Sequence, residues 1–177
     1  MIEAAARDET GTTALLFRCA GAAAILAGAL RIASVFIPYV KDSLRLEAFY
    51  GVIDLGLLFG TMGIYLDHKD DLGIVGLAGF AILLSGIASI VGPDAPFLGA
   101  DMYAIGLQII ALGSVVLSVA LLRARRFVVT AVLFVGSVAA AAAGPAIGLG
   151  ALAWPIAGAL FGGAYLAAGL RLVRRTV

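Results

Sequence analysis

The sequence predicts an all-α membrane protein in which six transmembrane helices form a compact bundle. Its composition is the first observation: 63% of the 177 residues are hydrophobic, only 13% are charged, and the mean hydropathy is +1.11. Soluble domains average roughly 45–50% apolar and about 25% charged residues. The second observation is that the apolar residues are gathered into six runs. Each run is close to the roughly 20 residues that a helix needs to cross a bilayer.

The six predicted spans are separated by short polar or turn-forming segments. The spans cover residues 14–37, 46–66, 72–92, 102–122, 127–146 and 152–170, and the breaks read PYVKDSLR, DHKDD, GPDAPFLGAD, RARR and AIGLG. The last break carries no charge, so a fused or re-entrant arrangement of the fifth and sixth spans stays open. By this division residues 1–13 form a cytoplasmic N-terminal tail, 14–173 the transmembrane domain and 174–177 a C-terminal tail.

Basic residues predict how the bundle is oriented. The side that holds both tails and the second and fourth loops carries nine of them: Arg7, Arg18, Lys69, Arg123, Arg125, Arg126, Arg171, Arg174 and Arg175. The opposite side holds only Lys41 and Arg45. Because basic residues favour the cytoplasmic side, both termini are predicted to be cytoplasmic. The heavy use of Arg, Ala and Gly suggests a bacterial source, so the predicted location is the inner (plasma) membrane.

The predicted partners follow from the same charges. The RARR and RLVRR segments suit anionic lipid headgroups, so the lipid bilayer is the first partner. A net charge of +1 gives no general attraction to nucleic acid.

Small residues predict where helices approach each other closely. Gly56 with Gly60, and Gly158 with Gly162, have the small-xxx-small spacing that allows close backbone contact in lipid. Packing within the bundle is favoured over dimerisation. A faint repeat also relates AGAAAILAG at 20–28 to AGFAILLSG at 78–86. Three helical hairpins inserted in the same sense would explain it, as would chance similarity between Ala-, Gly- and Leu-rich spans.

Four of the predicted spans place a polar side chain at a similar depth. Arg31, Asp54, Ser85 and Gln108 lie roughly 9–12 Å from the predicted outer ends of the first four spans, at about 1.5 Å per residue. Polar residues inside spans are costly and usually face the bundle interior or a water-filled cavity. The common depth therefore predicts a small polar pocket that opens to the outer side.

Helical periodicity adds neighbours to this pocket. One stripe of the second span, at the i, i+3, i+7, i+14 spacing, carries Glu47, Tyr50, Asp54 and Thr61. Arg31 shares a face with small residues and is predicted to point inward, toward Asp54. The predicted ligand-binding set is Arg31, Glu47, Tyr50, Asp54, Ser85 and Gln108. Three simpler interpretations stay open: a structural Arg31–Asp54 ion pair, outward snorkelling of Arg31, and Glu47 as an ordinary interfacial acid.

Several kinds of chemistry lack the residues that they need. Cys19 is the only cysteine and His68 the only histidine, which excludes intramolecular disulfides, thiol metal clusters and bis-histidine haem ligation. Neither an HExxH motif nor a Walker or GxGxxG loop in a strand-to-helix context occurs. No cofactor and no metal are therefore predicted. His68 is predicted to be a solvated loop residue in the turn DHKDD, whose Asp67, Asp70 and Asp71 form a solvated turn rather than a cation site.

Three functions are compatible with these features. The favoured one is a protein that binds or transports a small molecule through the outer pocket. The second is a membrane-embedded isomerase or cyclase, in which Asp54 and Glu47 exchange protons with a lipophilic substrate. The third is a non-catalytic membrane protein partner or immunity-type protein, in which the polar layer only fixes the register of the helices.

An AxxxA stripe on the first span is formed by Ala23 and Ala27. With its size and predicted topology, the chain is similar to the substrate-binding subunits of energy-coupling-factor vitamin transporters. The resemblance covers the whole chain in outline only, and the more specific binding-loop patterns of that family do not occur. It implies an outward-open pocket, a vitamin-sized ligand and a transporter module as a partner.

Overall fold

The computed structural model describes residues 2–38, 40, 43–91 and 101–174, and it describes side chains from residue 12 onward. Within this part of the chain the secondary structure is 87% helix and contains no strand. The predicted all-α class is therefore confirmed. The physical cause is that apolar spans must satisfy their backbone N–H and C=O groups without water, and a helix does so within its own segment.

Six α-helices follow one another along the chain. They are α1 (Ile2–Ser34), α2 (Leu44–Asp67), α3 (Lys69–Ile90), α4 (Met102–Arg123), α5 (Val128–Ala143) and α6 (Ala153–Val173). A short 3₁₀ turn, Gly150–Leu152, leads into α6. The helices match the predicted spans to within a few residues, except at the beginning of α1. That helix starts at Ile2, so the predicted N-terminal tail is itself helical.

Five of these helices are long and apolar enough to cross a membrane: α1 from Thr12, α2, α3, α4, and α6 together with its 3₁₀ turn. The chain is therefore a multi-pass membrane protein. The exception is α5, which has 16 residues and a length of about 24 Å, short of the roughly 30 Å of a hydrocarbon core. Five of the six predicted spans are thus long and apolar enough to cross a membrane. The sixth, α5, is the span that precedes the uncharged break AIGLG.

Each helix packs against its neighbours in the sequence, and the ring closes where α1 packs against α6. The turn between α2 and α3, the turn between α4 and α5 and the C-terminal end of α6 lie together at one end of the bundle. Contacts between Asp71 and Arg126, and between Phe127 and Arg171, join them. We name this the basic end, because its turns and helix ends carry Lys69, Arg123, Arg125, Arg126, Arg171 and Arg174. The other end is the opposite end.

Glycines let α1 and α6 pack backbone to backbone. A Cβ on Gly28 would lie 2.5 Å from the carbonyl oxygen of Gly162, and a Cβ on Gly162 would lie 2.6 Å from that of Gly28. Two helical turns away, Gly21 and Gly169 repeat this contact at 2.9 and 2.6 Å. Any side chain at these positions would hold the two backbones apart, so glycine is required for the approach. The predicted role of Gly162 in close packing is confirmed.

The other side of α1 packs on α2 through alanines that face glycines. A Cβ on Gly56 would lie 2.7 Å from the methyl carbon of Ala27, and a Cβ on Gly60 would lie 2.9 Å from that of Ala24. The predicted pair of Gly56 and Gly60 thus packs within the bundle. Close van der Waals contact of this kind drives helix association in lipid, where burial of apolar surface contributes little.

The core of the bundle contains an aromatic cluster with one buried hydrogen-bonded pair. Tyr165, Phe134 and Phe161 pack with ring centroids 5.3–5.4 Å apart. Tyr165 is 0% exposed, and its hydroxyl lies 2.6 Å from Thr61 Oγ1. Thr61 donates its own proton to the carbonyl oxygen of Leu57 at 2.8 Å, so Tyr165 is the donor between the two side chains. The bond offsets the cost of burying a phenol.

The connection between α2 and α3 is a tight helical corner. His68 alone separates the two helices. The first turn of α3 is set apart from the rest of the helix by Gly73, whose φ of 57° and ψ of −160° are not helical. That region of backbone space is essentially restricted to glycine. The segment DHKDD, predicted to be a loop, is therefore an ordered corner that fixes the position of its side chains.

Candidate functional site

Arg31 lies in the last turn of α1, at the opposite end of the bundle, and its side chain runs along α6. A Cβ on Gly162 would lie 3.2 Å from Arg31 Cβ, and a Cβ on Gly158 would lie 3.6 Å from Arg31 Nη2. The guanidinium group thus rests against Gly158, and a large side chain at that position would compete for its space. Arg31 is half-buried and lies against α6.

Asp54 lies on α2 and is half-buried beside the buried residues Ile53 and Leu57. Arg31 is the cation that acts electrostatically on its carboxylate. Both side chains are described, yet no nitrogen of Arg31 comes within the 4.0 Å of an Asp54 oxygen that defines an ion pair. The two side chains therefore influence each other electrostatically without a direct ion pair.

The predicted stripe on α2 passes from exposed to buried along the helix. Glu47 is exposed, and Tyr50 is half-buried, with its ring edge-on to Phe49 at a centroid distance of 5.6 Å. Thr61 is fully buried and bonds Tyr165. Glu47 therefore lies at the rim of the helix bundle. Asp54, farther along the same stripe, is the more buried of the two acids.

Ser85 and Gln108 are not brought together with the two charged residues. Ser85 is exposed on the outward stripe of α3 that also carries Leu77, and Gln108 is exposed on the outward stripe of α4 that also carries Leu112. The inward faces of α3 and α4 pack against each other instead. This placement gives no support to the prediction that all four polar residues line one pocket.

A second polar cluster, which the sequence did not reveal, lies at the basic end. We define the His68 cluster as Asp67, His68, Asp71, Arg126, Phe127 and Arg171. The His68 side chain is only 16% exposed, with Nε2 3.2 Å from Asp67 Oδ2 and Nδ1 3.6 Å from Asp71 Oδ2. Arg126 Nε donates a hydrogen bond of 3.2 Å to the same Asp71 oxygen. The prediction that His68 is a solvated loop residue is wrong, because the tight corner turns its ring toward neighbouring elements.

Phe127 ties the turn between α4 and α5 to this cluster. Its ring meets that of His68 edge-on at a centroid distance of 5.6 Å, and the guanidinium carbon of Arg171 lies 4.6 Å from its centroid. Phe127 is 2% exposed although its φ of 43° and ψ of 42° are left-handed, and Arg125 in the same turn has a φ of 54°. Such conformations cost on the order of 1–2 kcal/mol for a residue other than glycine. Burial of the Phe127 ring offsets that strain.

Burial lowers the pKa of His68 below its usual range. Asp67 acts in the opposite direction, while the positive charges of Arg126 and Arg171 lower the pKa further and Asp71 raises it. His68 is therefore neutral over more of the physiological pH range than a free histidine. Two acids and two arginines thus surround the ring and act on it in opposite directions.

Within the described residues, no group of three His, Cys, Asp or Glu side chains is arranged to hold a metal ion. Asp70, one of the three acids of the DHKDD segment, accepts a hydrogen bond of 2.8 Å from Lys69 Nζ. The charged side chains at the corner between α2 and α3 are thus paired with one another.

The His68 cluster has no local signature in the sequence, because Asp71 and Arg126 are 55 residues apart. The one usable signal is that DHKDD and RARR fall on the same predicted side of the membrane. No protein-family model, curated protein or solved structure matches the chain.

Proposed function

We propose that this multi-pass membrane protein binds or transports a small molecule through a polar site formed by Arg31 and Asp54, with Tyr50 and Glu47 toward its mouth. The observation that carries the proposal is the open charge pair. Two opposite charges lie on adjacent membrane-spanning helices and act on each other, yet no direct ion pair joins them. A small molecule with polar or charged groups could pair with both side chains at once.

Energetics favour a ligand over a purely structural pair. A charged side chain inside a membrane span is costly and normally pairs with another group or faces a cavity. Arg31 and Asp54 would lower that cost most by direct hydrogen bonding, since charge-assisted bonds are short and strong. Arg31 instead lies along the glycines of α6. A polar ligand that bonds both side chains would lower the cost that the missing ion pair leaves.

The orientation that we propose places this site in the outer half of the bundle. Both basic turns and the end of α6 lie together at the basic end. Basic residues favour the cytoplasmic side of a membrane. We therefore propose cytoplasmic termini, an inner-membrane location and a site that opens outward, with α5 as a short sixth span.

The proposal is tested by a ligand screen on the purified protein in lipid nanodiscs. Small anions, cations and zwitterions are added one by one, and a rise in melting temperature identifies a ligand. We expect Asp54→Asn and Arg31→Gln each to abolish the rise while the unliganded protein stays folded. Gln108→Ala is the matched control, because Gln108 is an exposed polar residue of α4, which packs on neither α1 nor α2, and it should keep the rise.

Other outcomes favour the alternative functions. Chemical conversion of a lipophilic ligand, lost in Asp54→Asn, would identify the isomerase or cyclase class, with Asp54 as its acid. A chain in which Arg31 and Asp54 are both replaced by leucine, and which binds the identified ligand as the wild type does, would show that the charges only hold helices together. That result removes the proposed site.

A further inference from the structure

The close packing of α1 on α6 brings one arginine of each helix to the same level at the basic end. A Cβ on Gly21 would lie 2.9 Å from both the carbonyl oxygen of Gly169 and the amide nitrogen of Val173. Gly21 is therefore level with the middle of the turn between those two residues. Arg174 lies three residues beyond that middle, and Arg18 lies three residues before Gly21. Because the two helices run antiparallel, Arg18 and Arg174 are level with each other.

Both arginines lie on the face of the α1–α6 pair that is turned away from α2. A Cβ on Gly63 of α2 would lie 2.8 Å from the methyl carbon of Ala20 and 2.9 Å from Leu172 Cδ1. Arg18 and Arg174 are each two residues from one of these contacts, so each is turned about 160° away from α2 around its helix. Both are exposed. They therefore share one outer face of the bundle.

The level of the two arginines is the edge of the apolar part of the bundle. The apolar span of α6 ends at Val173, one residue before Arg174. Arg18 lies within the apolar span of α1, six residues from its beginning at Thr12, which is about 9 Å along the axis. An exposed arginine inside a span is costly unless its charged group reaches the lipid headgroups. The phosphate groups of the bilayer are thus the nearest anions for both side chains.

The two guanidinium groups are like charges without an acid to balance them. Among the described residues, neither Arg18 nor Arg174 forms an ion pair, whereas Lys69 and Arg126 at the same end are paired with acids. Like charges at one level on adjacent helices repel each other. A phosphate between them would be attracted by both, and the forked donors of arginine match its oxygens bidentately.

The same face offers apolar surface to an acyl chain next to the two arginines. Ile25 lies two helical turns from Arg18 on one stripe of α1, and Leu170 lies one turn from Arg174 on α6. Leu170 is 43% exposed and Ile25 is half-buried. A Cβ on Gly169 would lie 2.8 Å from Ile25 Cγ1, so the two helices leave no space between them here. An acyl chain would therefore lie along their shared outer surface.

We propose that Arg18 and Arg174 together bind the phosphate group of one anionic phospholipid, whose acyl chains lie along the outer face of α1 and α6. A lipid with a net negative charge is selected over a zwitterionic one, because the choline of a zwitterionic headgroup adds a third cation beside the two arginines. The site lies at the basic end and does not depend on the ligand site at Arg31 and Asp54.

Native mass spectrometry of the full-length protein tests the site. The detergent-purified protein is mixed with equal amounts of dioleoyl-phosphatidylglycerol and dioleoyl-phosphatidylcholine, which have the same acyl chains, and the retained lipids are counted. We expect the wild type to retain one phosphatidylglycerol molecule in preference. Arg18→Gln and Arg174→Gln should each lower that preference about tenfold, since each removes a charge-assisted hydrogen bond.

Arg123→Gln is the matched control, because Arg123 is an exposed arginine at the basic end of α4, which packs on neither α1 nor α6. It should keep the preference. An equal loss in Arg123→Gln would show a general attraction to anionic lipid and overturn the site. Equal retention of the two lipids by the wild type would overturn it as well, even if no variant folds.

A soluble phosphate separates a lipid site from a simple anion site. Glycerol 3-phosphate has the phosphate group without acyl chains, so it should not displace the retained phosphatidylglycerol at an equal concentration. Displacement would show that the apolar face of Ile25 and Leu170 contributes nothing, which contradicts the proposed lipid.

Discussion

An alanine at Gly162 tests the backbone packing of α1 on α6. The added Cβ would lie 2.6 Å from the carbonyl oxygen of Gly28 and 2.9 Å from Ile32 Cγ1. Non-bonded heavy atoms prefer separations of about 3.5–4.0 Å. Since the nearer atom belongs to a helix backbone, it cannot rotate out of the way as a side chain could. The two helices would have to separate, and the protein should lose stability.

Two opposing contributions set the size of this loss. Replacing glycine by alanine inside a helix favours the helix by roughly 1 kcal/mol. Adding a group to a well-packed contact costs about 1–3 kcal/mol. Separation at Gly162 also weakens the second crossing, where Gly21 and Gly169 meet. The overpacking contribution outweighs the helix propensity over most of this range, and we expect a net destabilisation of up to about 2 kcal/mol.

The neighbouring Gly163 provides a matched control. A Cβ there would meet only Leu133 Cδ1, at 3.7 Å, which is an ordinary contact. Gly163→Ala should therefore raise stability by up to about 1 kcal/mol. Both variants are compared with the wild type by reversible unfolding in the same bicelles. A Gly162→Ala protein as stable as Gly163→Ala would refute the close approach of the two helices.

Three further substitutions are measured by the same unfolding assay. Tyr165→Phe should lower the free energy of unfolding by about 1 kcal/mol, because the hydroxyl of Thr61 loses a buried hydrogen-bond donor. A double-mutant cycle with Thr61→Val should return a coupling energy of similar size, and a coupling energy of zero would contradict the hydrogen bond. Arg125→Gly should raise stability by up to about 1 kcal/mol because its φ is left-handed, whereas Arg123→Gly, at the last residue of α4, should not raise it because the backbone there is helical. Ser114→Ala should leave stability unchanged or raise it, because the buried Ser114 Oγ has no hydrogen-bond partner among the described residues. A clear loss of stability would show that Ser114 Oγ does have a hydrogen-bond partner.

The helices can be predicted from the sequence because apolar runs and polar breaks are local properties. The two places where the helices differ from the predicted spans, the beginning of α1 and the end of α5, have local causes as well. Hydropathy marks where an apolar run begins, whereas α1 begins ten residues before its apolar part at Thr12, since polar residues also form helix. In the fifth span the apolar character continues past Ala143, and the end of α5 is marked instead by Gly144 and Pro145, a stop signal that hydropathy does not register.

Depth along a helix can be predicted more easily than rotation about it. Depth needs only a residue count, whereas rotation depends on which face the partner helix takes. On α3, a Cβ on Gly86 would lie 2.7 Å from the backbone nitrogen of Ile110 in α4, and this close contact turns the adjacent Ser85 outward. Among 23 glycines the sequence does not distinguish those that form such contacts. The shared depth of Ser85 and Asp54 therefore did not imply a shared pocket.

The two ends of the bundle use charge in opposite ways. At the basic end, His68 lies 3.2 and 3.6 Å from its two acids and Asp71 bonds Arg126 at 3.2 Å. At the other end, Arg31 rests against Gly158 and makes no direct contact with its acid. If charges served only to hold helices, both clusters would be closed, because an open pair inside the membrane is the more costly arrangement. The proposed ligand site therefore rests on the pair that is left open, whereas the closed cluster joins three elements at the basic end.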